Sequence, residues 1–292
     1  LIHYTMTTKA LSIKIALMAA GTAAAVMSTS CSSSDEKNAL ALLESAQAAN
    51  DCGNSTLSLE LLDSLDRTYP SEIETRRKAL HLRTKANEGK LVRELEEVEM
   101  KGAMLQLKSD SLQKFVAKVD NPLEPYFIAR EMAGKSVLRS TGLEARMMPD
   151  GTLYLISSLK GTDIRHVSVT VAADGKEAST ASIACDGERN DRSLGYEVIH
   201  YMPGECSAVV DFIASHRESP VSVRFNGEGG KHSETKLDDR SRRSIATLAD
   251  VASTTRELRH NLLEQQKLNR QIELARNQAA QTYIEDEDSD RK

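Results

Sequence analysis

The sequence of 292 residues contains no tryptophan, and aromatic residues make up only 4% of it. Carbohydrate-binding surfaces and base-stacking platforms usually depend on exposed aromatic rings, so this scarcity counts against both. An excess of positive charge is also missing, because the formal net charge is −5 and the pI is near 5.9. Nucleic acid requires a clustered basic face, and the sequence therefore predicts no nucleic-acid partner.

Sequence signatures of catalysis are also missing. The chain has no H-E-x-x-H, no G-x-S-x-G, no P-loop and no dinucleotide fingerprint. The nearest nucleophile constellation is Cys206 with Glu205 and His200, but Cys206 falls on the apolar face of a predicted helix and is expected in the core. The other histidines considered have no ligand spacing: His166, His216, His232 and His260. The sequence thus predicts no enzyme, no cofactor and no metal site.

The N-terminus has the order of a secretory signal peptide. Two lysines, Lys9 and Lys14, precede an apolar run over 15–26, and the small residues 28–30 follow before Cys31. The run is too short for a bilayer span of about 20 residues, which favours cleavage over retention. Residues 1–30 are therefore predicted to be a signal peptide.

The cysteine that follows the small residues resembles the last position of a lipobox, although Ser28 stands where leucine is usual. The resemblance implies that Cys31 is acylated and holds the chain to membrane lipid, with residues 31–37 forming the lipidated cysteine and a polar tether. A soluble periplasmic protein is the alternative. The remaining cysteines, Cys52, Cys185 and Cys206, are odd in number and imply no disulfide framework, while a Cys185–Cys206 bridge stays possible.

Three helices are predicted over residues 38–87. Leucines recur at helical spacing in each, and breaks fall at 51–54 and at Pro70. The stretch LLDSLDRTYPSEIETRRKAL resembles part of a tetratricopeptide (TPR) unit, but little more than one repeat is present. This region is therefore interpreted as TPR-like.

Two longer segments carry seams of alternating four- and three-residue spacing. The first, within 88–119, is formed by Leu91, Leu95, Val98, Gly102, Leu105, Ser109, Leu112, Val116 and Val119. The second, within 238–284, is formed by Leu248, Val251, Thr255, Leu258, Leu262, Gln265, Leu268, Ile272, Ala275 and Ala279. We expect the two helices to pair antiparallel within one chain; parallel homodimerisation through each helix is the alternative. Residues 285–292 are interpreted as an acidic tail.

Between the seams, over 120–237, the period changes to two. Hairpin signals surround Pro149-Asp150-Gly151 and Ala173-Asp174-Gly175, and about seven or eight strands are predicted in all. Such a β-module forms a sandwich or a small barrel. One short helix is expected within it at Cys206, Val209, Val210 and Ile213. The polar loop 186–192 is either a recognition loop or a solvated connection.

Taken together, the lipobox-like cysteine, the DSLDRTYP stretch, the seam helices and YFIAREMAGKS resemble Bacteroidota-type envelope lipoproteins. The resemblance implies an outer-membrane location and an α+β architecture in which long antiparallel coiled-coil helices flank an inserted antiparallel β-module. The resemblance implies no biochemical activity. The expected function is a membrane-anchored, non-catalytic structural or protein-interaction module with an envelope protein partner. The alternative is a surface component that binds glycans or peptides, and an adaptor of an envelope pump ranks last.

Overall fold

The computed structural model describes residues 32–122, 124–185 and 187–282. Within these ranges the chain is α+β, as predicted, with five α-helices and ten antiparallel strands. The helices are α1 (Ser32–Asp51), α2 (Ser55–Thr68), α3 (Ile73–Gln113), α4 (Pro203–Ser215) and α5 (Asp239–Thr282). The strands are β1 (Val116–Val119), β2 (Tyr126–Ala129), β3 (Gly142–Met147), β4 (Leu153–Lys160), β5 (His166–Ala173), β6 (Lys176–Ser179), β7 (Asn190–Ser193), β8 (Tyr196–Tyr201), β9 (Ser222–Gly227) and β10 (His232–Lys236).

The first two helices form a hairpin that packs on the beginning of α3. The chain reverses at Gly53, whose φ of 75° favours glycine, and Asn54 caps α2 by accepting a hydrogen bond from the backbone N–H of Leu57 at 3.1 Å. Leucines and alanines of the three helices form a small separate core. Residues 32–37, predicted as a tether, belong to α1 instead. Their polar side chains are compatible with helix, so composition alone did not exclude it.

Helix α3 runs without a break through residue 87, where the sequence interpretation separated two segments. Its 41 residues correspond to a length of about 60 Å at 1.5 Å per residue. The helix ends at Gln113, so the predicted seam positions Val116 and Val119 lie in β1 instead. Val116 pairs with Ala129 of β2 and is 3% exposed, because a β-branched residue suits a strand that can reach a sheet partner.

Helices α3 and α5 pair antiparallel, which confirms the predicted intramolecular coiled coil. The contacts run in opposite chain directions. Arg276 Nε donates to Glu88 at 2.6 Å, and Asn261 Nδ2 donates to the Val98 carbonyl at 2.8 Å. We call the paired lengths of α3 and α5, with the α1–α2 hairpin on α3, the stalk.

The seam of α5 differs from the prediction at one turn. Leu262 is 55% exposed, and Asn261 takes the seam position with 5% exposure. The reason lies across the interface at Gly102, where a Cβ would stand 2.5 Å from Asn261 Oδ1 and 2.9 Å from Gln265 Nε2. Glycine therefore leaves room for a buried amide, which is satisfied by the Val98 carbonyl.

The first third of α5 belongs to the β-module and not to the coiled coil. Leu248 and Val251, which were predicted as seam residues, are 1% and 2% exposed within the main core, beside Ile245 and Ala252. A heptad pattern predicts that a face is buried, but it does not identify the surface that buries it.

The β-module contains two separate antiparallel sheets that share one core. Their strand orders are β1-β2-β3-β4-β8-β7 and β10-β9-β5-β6. The sheets do not close into a barrel, so the sandwich was the better of the two predicted alternatives. Core residues come from both sheets, from α4 and from α5. The predicted short helix is confirmed as α4, with Cys206, Val209, Val210 and Ile213 all buried. Strands β1 and β7 were not predicted.

Candidate functional site

A buried polar cluster links the two sheets. His166 of β5 places Nδ1 2.8 Å from Glu197 Oε2 of β8, and its Nε2 lies 3.0 Å from Ser157 Oγ of β4. The Glu197 carboxylate also accepts the backbone N–H groups of Arg165 and His166, at 2.8 and 2.7 Å. The cluster therefore has the connectivity of a serine–histidine–carboxylate triad.

Its environment makes it a structural link and not a reactive centre. Ser157 and His166 are 0% exposed, so a substrate has no path to the serine oxygen. Burial lowers the pKa of His166, which keeps the ring neutral; we infer that Nδ1–H then donates to Glu197 and Nε2 accepts from Ser157. Burial alone would raise the pKa of Glu197, but hydrogen bonds from His166 and Arg165 outweigh it and lower that pKa.

The outer face of the six-stranded sheet carries the accessible site. Side chains that alternate out of β2, β3, β4 and β8 surround a depression of about 340 Å³, which we call the trough. Arg146 lies directly across from Tyr154, and Ile156 lies across from His200. Ile156 is 1% exposed and forms the floor. The walls are formed by Asn121, Glu124, Tyr126, Arg146, Met148, Tyr154, His200 and Met202.

The segment between β2 and β3 decides which part of this face stays open. Its short 3₁₀ turn packs Val137 on Ile156 and Val198 and closes the far half of the sheet. The backbone N–H of Val137 donates to Glu144 Oε2 at 2.9 Å, which fixes the turn on the sheet. The trough is the half that this turn leaves uncovered.

Arg146 is held in place within the trough. Its Nε donates to Glu144 Oε1 at 2.8 Å, and its guanidinium carbon lies 4.7 Å from the centre of the Tyr126 ring. Partial desolvation, and then the charge of Arg146, lower the pKa of His200. The trough thus combines tyrosine rings, methionine side chains, one oriented cation, a neutral imidazole, and the amide of Asn121 and the carboxylate of Glu124 at its edge, which suits binding of a ligand with both apolar and polar groups.

The outer face of the four-stranded sheet has a different character. Thr170 Oγ1 and Ser179 Oγ lie 2.8 Å apart, and Asn226 Nδ2 donates to Thr170 at 2.9 Å. Farther out, Arg224 Nε donates to Glu234 at 2.7 Å. These polar groups satisfy one another, so this face offers a ligand little unpaired hydrogen-bonding capacity.

The structure does not bring together the cysteine constellation considered from sequence. The Cys206 side chain is buried against backbone carbonyls, and burial raises the pKa of its thiol to about 11. Glu205 pairs with both terminal nitrogens of Arg189 and caps α4 at Met202 N. His200 points out of the opposite face of the sheet into the trough. The thiol has no base within reach.

The other candidate residues are also separated. Cys52, Cys185 and Cys206 are free thiols, so the Cys185–Cys206 bridge is not formed. Across the described ranges, no three histidine, cysteine, aspartate or glutamate side chains are grouped to hold a metal ion. Residues 190–192 of the predicted polar loop belong to the edge strand β7, whose Asn190 is buried and donates to the His166 carbonyl at 3.1 Å.

The predicted lipidation site Cys31, the predicted signal peptide 1–30 and the predicted acidic tail 285–292 lie outside the described residues. Among the helices that are described, none has the length and apolar character needed to span a bilayer. No protein-family model matches the chain, and neither a curated protein nor a solved structure shows significant similarity to it.

Sequence reasoning missed the trough. The available signal was the period of two, which places Tyr154 and Ile156 on one face of a predicted strand. That signal gives no strand order, and the trough exists only because β4 pairs with β8, about 40 residues later in the chain.

Proposed function

We propose that this protein is a lipid-anchored, non-catalytic envelope protein that presents its β-module to a protein partner at the end of the stalk. The observation that carries the proposal is the geometry of the stalk. Helix α1 starts at Ser32, directly after the predicted lipidated Cys31, and packs with α2 on the first part of α3. The β-module lies at the other end of α3, about 60 Å away.

Within this proposal the trough is the contact surface for the partner. Met148 and Met202 can adapt to different side chains, and Tyr126 and Tyr154 provide rigid contact area. The buried His166–Glu197 pair holds β5 against β8 and so keeps the sheet that carries the trough in one shape. Binding without catalysis agrees with a triad-like cluster that substrate cannot reach.

The anchor is tested with Cys31→Ala in the full-length chain. The wild type is expected in the membrane fraction with acyl mass on the residue after cleavage, and the variant in the soluble fraction. A mature chain that begins elsewhere, or that carries no acyl mass, contradicts the anchor.

The contact surface is tested with a photo-crosslinking amino acid at Tyr154 in cells. A matched control carries it at Arg224, which is 44% exposed on the other outer face. We expect a discrete protein adduct from position 154 and none from position 224. Equal adducts from both positions, or none from 154, contradict the proposal.

The alternative function, binding of surface glycans or peptides, is favoured by the paired tyrosines of the trough. Because the chain has no tryptophan, tyrosine fluorescence can be followed directly, and the Tyr154→Ala variant separates the signal of the trough from that of the other tyrosines. Saturable quenching by an oligosaccharide that is lost in Tyr154→Ala would favour the glycan-binding alternative over a protein partner.

A further inference from the structure

The face of α3 that pairs with α5 continues below the last described residue of α5. At the lower end of the stalk, Thr84 Oγ1 and Thr282 Oγ1 lie 3.2 Å apart, so these two threonines form one layer of the coiled coil. Below Thr84, the three- and four-residue spacing of the seam leads to His81, Arg77 and Glu74 on the same face of α3. Because the described part of α5 stops at Thr282, it does not reach these three positions.

The lower end of α3 is cationic. Between residues 72 and 85 the charged side chains are Glu72, Glu74, Arg76, Arg77, Lys78, Arg83 and Lys85. Arg76 and Arg83 are occupied, because they pair with two aspartates of α2 at 2.8 and 2.5 Å. Arg77 lies 3.3 Å from Glu74, but both side chains are largely exposed and the pair is weak.

Two lysines add to this charge beside the seam. Lys78 and Lys85 are exposed, and each directly follows a seam position of α3. Among the described residues, neither lysine forms an ion pair. We call Arg77, Lys78 and Lys85 the cationic base.

The residues that follow Thr282 in the sequence have charges that complement this surface. Residues 283–292, which lie outside the described ranges, read YIEDEDSDRK. In the antiparallel register set by the threonine layer, the mostly acidic run 285–290 passes the levels of residues 76–81 on α3, and the basic pair 291–292 reaches the level of Glu74. The acidic run thus meets the cationic base, and the basic pair meets the glutamates at the beginning of α3.

The length of this segment and its attachment also fit. As a continuation of α5 at about 1.5 Å per residue, ten residues extend about 15 Å, which is the rise along α3 from Glu74 to Thr84. The segment begins where α5 already lies on the seam, so its docking needs no loop and costs no translational freedom, unlike the binding of a separate molecule. Acidic residues in the last turns of a helix are unfavourable by themselves, because they face the negative end of the helix dipole. The cations of α3 would offset that cost.

We propose that residues 283–292 bind the cationic base and extend the α3–α5 coiled coil by about three turns. The contact is electrostatic and partly exposed, so it weakens in salt and yields to competing anions. It would close the lower end of the stalk, where α1 also begins, and would keep the cationic base from other acidic ligands. The contact is separate from the trough and does not depend on the lipid anchor.

Disulfide crosslinking in the full-length chain tests the contact. Cys52→Ser and Cys185→Ser first remove the accessible thiols of the described residues, and the reporting pair is Arg77→Cys with Ser289→Cys. The matched control is Lys90→Cys with Ser289→Cys, at an exposed position about as far above the threonine layer as Arg77 is below it. An undocked segment would reach both positions, whereas a docked one reaches only position 77. Mass spectrometry of the crosslinked peptides should therefore show at least about a fivefold excess for the reporting pair.

Charge reversal separates electrostatic docking from mere proximity. Lys78→Glu with Lys85→Glu should lower the yield of the reporting crosslink at least about threefold, and adding Asp286→Lys with Asp290→Lys should restore it. Circular dichroism melts establish that the variants fold. Equal yields from the reporting and control pairs, or yields that the charge reversals leave unchanged, overturn the proposal. Crosslinks that join only an isotope-labelled chain to an unlabelled one overturn it in favour of a second copy that receives the segment.

Discussion

In the stalk, the amide of Asn261 is buried between two helices, where it donates to the Val98 carbonyl and accepts from Gln265 Nε2. In the β-module, a carboxylate, an imidazole and a hydroxyl are buried together, and they join strands 31 and 40 residues apart in the chain. Removing one partner costs less where few buried groups lose a hydrogen bond, and more where one acceptor serves several buried donors. We therefore expect substitutions in the stalk to lower stability locally, whereas substitutions in the buried cluster should destabilise the whole β-module.

The strongest test of this contrast is Glu197→Ala. The change leaves the ring N–H of His166 and two backbone N–H groups without their acceptor, and at about 1–3 kcal/mol for each buried unsatisfied donor we expect at least about 3 kcal/mol less stability. Hydrogen exchange should accelerate throughout the β-module and little in the paired part of α3. Glu234→Ala, which breaks an exposed pair with Arg224, serves as the control and should leave urea unfolding unchanged. A small effect of Glu197→Ala would show that the cluster is dispensable.

A smaller loss is expected from Leu268→Ala in the stalk. Leu268 is 3% exposed at the seam, and its truncation should cost about 2–3 kcal/mol. Faster hydrogen exchange should stay within the paired helices. If exchange also accelerates in β4 and β8, the two regions unfold together and the comparison fails.

Gly102→Ala should cost about 1 kcal/mol. The new Cβ crowds Asn261 Oδ1, at a penalty of about 1–3 kcal/mol, while alanine recovers up to about 1 kcal/mol of helix propensity. The free energy of unfolding, measured in denaturant, gives the net result of these two opposing effects. Adding Asn261→Ala removes the closer of the two contacts of the new Cβ, so the double variant should be more stable than the additive expectation. Strict additivity would contradict the close contact.

The smallest effect is a pH dependence that should be confined to the β-module. The folded-state pKa of His166 lies below its unfolded value of about 6.5, so the unfolded chain binds the proton first as pH falls. Stability is therefore full above about pH 7 and declines below the unfolded pKa of His166. The lowered pKa of Glu197 adds a loss in the same direction below its ordinary value. Hydrogen exchange at pH 5 and pH 7, corrected for intrinsic rates, should differ more in β5 and β8 than in the stalk; an equal change would contradict this.

The helices could be predicted from the sequence because helical periodicity depends only on residues that are close together in the chain. Four- and three-residue spacing identified Leu95, Leu105, Leu268 and Ile272 as seam residues without any knowledge of the rest of the fold. The same spacing could not separate Leu262 from Asn261, because the choice depends on the space left by Gly102 on the other helix.

Some of the strands could also be predicted, because the period of two along a strand is likewise a local property. Alternation located β3, β4 and β5, and a turn signal joined β3 to β4. Strand β7 was missed because its four residues, Asn190–Ser193, are polar and their inward side chains are satisfied by the fold and not by an apolar surface. The sequence also gave no sign that Ser157, His166 and Glu197 would meet.

By itself, the sequence determined the α+β class, the two long helices and the antiparallel β-module between them, because helix and strand periodicities are properties of neighbouring residues. Only the tertiary structure decided the strand order, the buried His166–Glu197 pair and the open trough. Each of these depends on which distant surfaces meet, and a local pattern specifies that a face is buried without specifying what buries it.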